Sequence, residues 1–142
     1  MPGPIIVGVD GSPTARRAAE KARDLALKLQ APLHVVSAHT ENEISHIKSG
    51  SDEWIVTSAD NAHRIADGEA RKLRTPDAEI VAAAAHGKPS EALISYAERT
   101  GAQMIVVGNR RMRGMARMLG SVANSVSHNA TCDVYIANTS GS

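Results

Sequence analysis

Residues 5–9, Ile-Ile-Val-Gly-Val, form an apolar run without polar alternation, and the run stops abruptly at Asp10-Gly11-Ser12. A strand that is apolar on both faces must be covered on both faces, which places it inside a parallel sheet with helices above and below. The next segment agrees. Ser12 is suited to cap a helix, with Pro13 at its first position. Ala15, Ala18, Ala19, Ala22, Leu25, Ala26 and Leu29 then recur at helical spacing, while Arg16, Arg17, Lys21, Arg23 and Lys28 occupy the other side. This predicts an amphipathic helix of about five turns.

The same alternation continues to the end of the chain. Residues 33–38 read as a second strand, and the polar, weakly patterned 39–50 as a loop. A helical pattern through Trp54, Ile65, Ala66, Ala70 and Leu73 predicts a helix over 52–73, broken by Thr75-Pro76-Asp77. Residues 79–85 read as a third strand, and Gly87-Lys88-Pro89-Ser90 leads into a helix that stops at Thr100-Gly101. Residues 104–107 form a fourth strand, 121–129 a helix and 133–137 the last strand. Strands and helices in strict succession predict an α/β fold: an open five-stranded parallel sheet with helices on both faces and right-handed crossovers. Residues 1–142 are expected to make one domain. With one Trp, two Tyr and no Phe, the core must be built from Val, Ile, Leu and Ala.

Charge and cysteine content exclude several classes of function. Sixteen basic and 15 acidic residues leave a net charge of +1, which argues against a general affinity for nucleic acid or membranes. No apolar run approaches the roughly 20 residues that span a bilayer. The single Cys132 rules out an internal disulfide and reads as a small filler. The N-terminus lacks a basic leader, so a cytoplasmic location is expected. The six histidines show no metal-ligand spacing, so no metal site is expected. There is no Gly-x-Ser-x-Gly elbow, no Walker A loop, and no Gly-x-Gly-x-x-Gly after the first strand. No catalytic residue stands out.

Two strand ends remain as candidates for chemistry. In an open parallel sheet, ligands bind beyond the carboxyl ends of the strands, where the strand order reverses. The fourth strand ends at Gly108 and runs into Asn109, Arg110, Arg111, Met112, Arg113 and Gly114, then reaches Gly120-Ser121 at a helix start. A helix N-terminus presents free N–H groups and partial positive charge, a ready phosphate site. Arg110, Arg111, Arg113 and Arg117, in a stretch without acids, add guanidinium groups that fork onto phosphate oxygens. The plainer alternative is that the glycines punctuate a loop and the arginines solvate it. Asp10 has two readings of its own. Its carboxylate accepts hydrogen bonds from a ligand, or it only caps the first turn of the following helix.

Taken in order, these segments resemble the universal stress protein family. The likeness runs through Ile6-Val7-Gly8-Val9-Asp10-Gly11-Ser12, Leu33-His34-Val35-Val36-Ser37-Ala38, Gly87-Lys88-Pro89-Ser90-Glu91-Ala92-Leu93, Ile105-Val106-Val107-Gly108-Asn109 and Leu119-Gly120-Ser121-Val122-Ala123-Asn124. The closing strand Asp133-Val134-Tyr135-Ile136 fits as well. The resemblance implies strand order 3-2-1-4-5, Rossmann-like and similar to the adenine nucleotide α-hydrolases, with the first and fourth strands as neighbours. It implies a bound adenine nucleotide (ATP, AMP or cyclic AMP, with or without Mg2+) and a stress-response regulatory role with at most slow hydrolysis. Gly8, Val9 and Asp10 would meet adenine and ribose, and Ser37 or Ala38 would lie against the base. Gly108, Asn109, Arg110, Arg111, Arg113 and Gly114 would wrap ribose and phosphates, and Gly120, Ser121, Val122 and Ala123 would hold the phosphate tail. A homodimer through the last strand (Val134, Tyr135 and Ile136) is implied too.

One position departs from the family pattern. Members of the ATP-binding type carry Gly-x2-Gly, eight or nine residues, then Gly-Ser or Gly-Thr. Here Gly108 and Gly120-Ser121 match, and Arg111 stands at the second glycine. Arg111 either crowds the ligand or replaces a close backbone approach with a guanidinium contact. The first outcome leads to an alternative function, a dimeric interaction protein with an empty cleft. An adenylating enzyme of the related hydrolase type would need Ser-Gly-Gly-x-Asp-Ser after the first strand, which Asp10-Gly11-Ser12-Pro13 lacks.

Overall fold

The computed structural model describes residues 3–40, 59–109 and 119–139 in full, and 44–49 and 52–58 in backbone. In chain order the elements are β1 (Ile5–Gly8), α1 (Pro13–Leu29), β2 (Leu33–His39), β3 (Ile44–Ser49), β4 (Asp52–Thr57) and α2 (Ser58–Leu73). They continue with β5 (Ile80–His86), α3 (Pro89–Thr100), β6 (Met104–Gly108), α4 (Ser121–Asn129) and β7 (Asp133–Ala137). Five strands form one sheet in the order β5-β2-β1-β6-β7, every neighbouring pair parallel. Counted along these strands alone, this is the expected 3-2-1-4-5.

The unbroken apolar run of β1 is explained by its central place. Ile5, Ile6 and Val7 are fully buried, and the pleat sends them alternately to two separate cores. Ile5, Val7 and Val9 pack with Val35, Val106 and the α1 alanines Ala18, Ala19, Ala22 and Ala26. Ile6 packs on the other side with Val36, Ile105, Leu93 and Val126, under α3 and α4. The small α1 residues allow that helix to sit close on the sheet. Ser12 caps it as expected, its Oγ accepting from the Ala15 N–H at 3.2 Å, with Pro13 in the first turn.

One part of the expected layout is corrected. The segment 39–50, read as a loop, contains β3, and 52–57, read as the start of a helix, is β4. The two strands pair antiparallel from Ile44↔Thr57 to Ser49↔Asp52, separate from the main sheet. Trp54 therefore stands on a strand. The helical spacing from Trp54 to Ile65 was incidental, and the β-branched run Ile55-Val56-Thr57, which favours a pleated strand, was the better signal. The helix proper begins at Ser58. The third expected strand, 79–85, is displaced by one residue to Ile80–His86. Among the described residues no helix is long and apolar enough to cross a membrane.

Candidate functional site

A cleft of about 190 Å³ opens at the carboxyl ends of β1 and β2. Its walls come from three directions. The chain leaving β1 supplies Gly8, Val9 and Asp10, and β2 supplies Val36, Ser37 and Ala38. Pro89 and Leu93 of α3, Val122 of α4 and Ala15 of α1 complete it. The strand order creates this space: helices on either side of β1 cross to opposite faces, so the tips at its end part from one another. A larger groove, about 490 Å³, lies at the amino ends of β2 and β5, lined by Ala26, Gln30, Pro32, Asp77 and Glu79 among others. It is at the opposite end from the switch point, and its charged lining is acidic.

Each wall has a local cause. At Gly8 a Cβ would stand 2.8 Å from Leu93 Cδ1 and 3.2 Å from Cδ2, so a side chain fits there only if the Leu93 tip moves. Val9 turns its side chain into the first core and offers the cleft its backbone, its N–H donating to Val36 carbonyl oxygen at 2.9 Å. The chain then reverses at Gly11, whose φ of 85° is one an L side chain rarely adopts. This turn leaves Asp10 exposed at the rim. Asp10 Oδ1 accepts from the Ser12 N–H at 2.9 Å, the local turn role read from the sequence. Its Oδ2 has no partner among the described residues, so capping leaves half of the carboxylate available. Asp10 is the one charged side chain among the described lining residues.

The fourth expected strand, β6, lies beside β1 with Ile6↔Ile105 and Val7↔Val106 in register, so its end is adjacent to the cleft. Gly108 nevertheless is not part of the cleft lining, and a side chain there would point toward α1. A Cβ at Gly108 would meet Thr139 Cγ2 at 3.2 Å, Thr14 Cγ2 at 3.6 Å and Ala18 Cβ at 3.7 Å, all on the α1 side. A side chain at Gly108 would therefore press on Thr139. The Asn109 carbonyl accepts from the Gly120 N–H at 3.3 Å, which brings the two ends of the intervening segment together. Gly120 is the N-cap of α4 and makes no side-chain cap bond. Of the first-turn residues, Ser121 is exposed and Val122 lines the cleft, while Ala123 is buried in the second core. Arg110, Arg111, Arg113 and Gly114 lie outside the described residues.

The cleft brings together Gly8, Val9, Asp10, Ser37, Ala38 and Val122 from the expected set. Ala15, Val36, Pro89 and Leu93 were not anticipated. Pro89 and Leu93 sit just after the third core strand, so their arrival depends on the crossover of α3, which no local spacing reveals. Thr139, buried behind Gly108, had no sequence signal at all. Among the described residues no group of three or more His, Cys, Asp or Glu could hold a metal ion. Cys132 lies against the second core, where burial pushes its thiol above the usual range. This makes it a weak nucleophile near neutral pH.

A five-stranded parallel sheet, wrapped on both faces and cleft at its switch point, defines a doubly wound α/β protein of the Rossmann-like kind. The chain belongs to the universal stress protein family, whose family model matches residues 1–138. It is 28% identical over 136 residues to universal stress protein A homolog 1 of Coxiella burnetii, covering 92% of each chain. It is 29% identical over 140 residues to universal stress protein Rv1636 of Mycobacterium tuberculosis, covering 95% of each. Among solved structures, it is 26% identical to a universal stress protein in complex with cAMP, with a TM-score of 0.69 and 97% and 98% of the two chains covered.

Proposed function

We propose that this chain is a cytoplasmic, single-domain stress-response module that binds an adenine nucleotide in the cleft at the ends of β1 and β2. The observation that carries the reading is the meeting of Gly8–Asp10 with residues 36–38 and Val122 in one space at the switch point. At about 190 Å³ the cleft is smaller than the roughly 300–1,000 Å³ of a complete small-molecule site. It suits the base and sugar, with the anionic tail directed outward. Leu93, Pro89, Val36 and Val122 offer apolar surface to a purine, and Oδ2 of Asp10, without a partner among the described residues, would accept from an amino group or a ribose hydroxyl. The α4 start at Gly120 and Ser121, together with Arg110, Arg111 and Arg113, would meet phosphate. A relative of this chain is in complex with cAMP, which supports an adenine nucleotide of that size. Mg2+, if it accompanies ATP, would come on the phosphates, as this ion commonly does. The role proposed is binding, through the lining at Gly8–Asp10 and Ser37.

Calorimetric titration of ATP, AMP and cAMP at low and moderate salt tests the proposal. Saturable heat and a thermal shift with at least one of them is the expected result, and their absence with all three defeats it.

A second reading is supported by the sheet edge. On β7, Tyr135 and Ile136 are 40% and 37% exposed at the end of the sheet. Pairing of this strand with a second copy would cover both, and a homodimer acting through protein contacts needs no nucleotide. Sedimentation with and without nucleotide separates the readings: a dimer indifferent to nucleotide, purified without any, favours the second.

A further inference from the structure

Thr139, just past β7, is fastened to Asn109, which directly follows β6. Thr139 lies two residues beyond β7 and is 2% exposed. Its backbone N–H and its hydroxyl both donate to Asn109 Oδ1, at 3.0 and 3.1 Å. Its carbonyl accepts from Arg17 Nη1 of α1 at 3.1 Å. Asn109 is held from both directions, its N–H donating to the Ala137 carbonyl at 2.9 Å and its own carbonyl receiving the Gly120 N–H at 3.3 Å. The Thr139 methyl lies 3.2 Å from where a Gly108 Cβ would stand. A polar side chain this deeply buried persists only when its hydrogen bonds are satisfied, and here both donors converge on one atom.

We propose that Thr139 is a positioning residue: its grip on the Asn109 side chain orients the Asn109 carbonyl that receives Gly120, and so sets where α4 begins. The last strand and the start of α4 are then tied through a single clasp. Thr139 does not line the cleft, so any effect it has on a ligand passes through Asn109 and Gly120. That consequence rests on the nucleotide reading above; the clasp itself is readable without any ligand.

The test compares the full-length wild-type chain with Thr139→Val, which keeps the shape and removes the hydroxyl, and Thr139→Ser, which keeps the hydroxyl and removes the methyl. In the ligand-free protein, hydrogen-exchange protection of the Gly120 amide should fall between about twofold and tenfold in Thr139→Val, the worth of one net hydrogen bond. It should be retained in Thr139→Ser, and the Ala78 amide, bonded to the Thr75 carbonyl in the turn before β5 and exchanging by local opening, should be unchanged in both. With cAMP as the probe, affinity should fall by a similar factor in Thr139→Val only. Unchanged Gly120 protection in Thr139→Val overturns the clasp, as does equal loss in both variants or a parallel loss at the Ala78 amide. If the wild-type chain binds no cAMP, the ligand consequence falls with the nucleotide reading, and the exchange data still decide whether the clasp exists.

Discussion

Replacing Gly8 by alanine tests whether the floor of the cleft is set by contact with Leu93. The Gly8 backbone is not in the positive-φ region, so alanine is conformationally acceptable there. On backbone grounds alone it would stabilise the fold by about 0.4–1 kcal/mol. The steric contribution has the opposite sign. The new methyl would lie 2.8 Å from Leu93 Cδ1, closer than carbon atoms approach, and Leu93 is 3% exposed in a packed core. Forcing a buried side chain off its rotamer costs about 1–3 kcal/mol, so the substitution should destabilise by about 1–2 kcal/mol net. Leu93 also lines the cleft, so its displacement should weaken any ligand held there. A double-mutant cycle in urea isolates the cause. Leu93→Ala should itself cost about 2–5 kcal/mol, but it removes the Cδ atoms that obstruct the methyl. In that background Gly8→Ala should be neutral or stabilising, giving a coupling of about 2 kcal/mol. Equal destabilisation by Gly8→Ala in both backgrounds would refute the steric argument, because the cost would then have nothing to do with Leu93.

Two further predictions address charge. Asp10→Ala removes the acceptor of the Ser12 N–H and should destabilise by about 1 kcal/mol, whereas Asp10→Asn keeps an acceptor and should stay within about 0.5 kcal/mol. Both should weaken cAMP binding in calorimetry, and wild-type affinity in both would remove Asp10 from the site. His34, whose Nδ1 lies 2.7 Å from the Tyr96 hydroxyl, is held below its ordinary value of 6.5 by burial, with the Glu79 carboxylate pulling weakly the other way. The unfolded chain therefore takes up a proton that the folded protein resists. This contribution to stability is complete above pH 6.5 and is lost as pH falls toward the folded value. Urea midpoints of the wild-type chain should drop on acidification through this window more than those of His34→Gln, and parallel profiles would count against it.

The sequence by itself determined the class of fold, because apolar runs of strand length and amphipathic helices are local patterns. The run 5–9, the capped α1 and the β6 run could each be recognised from neighbouring residues. Even the strand order was accessible through the ordered family motifs. The β3–β4 hairpin was missed because a short segment with sparse apolar residues satisfies helical and strand periods almost equally. The candidate site was legible where it lies on strand ends, at Gly8, Asp10, Ser37 and Ala38. Tertiary structure alone decided the rest. Leu93 and Pro89 enter the cleft because the connection from β5 to β6 packs α3 against β1 and β2, and Gly108 is backed by Thr139, 31 positions later in the chain. Contacts across such separations depend on how helices settle on the sheet, and that is governed by the packing of side chains distant in sequence.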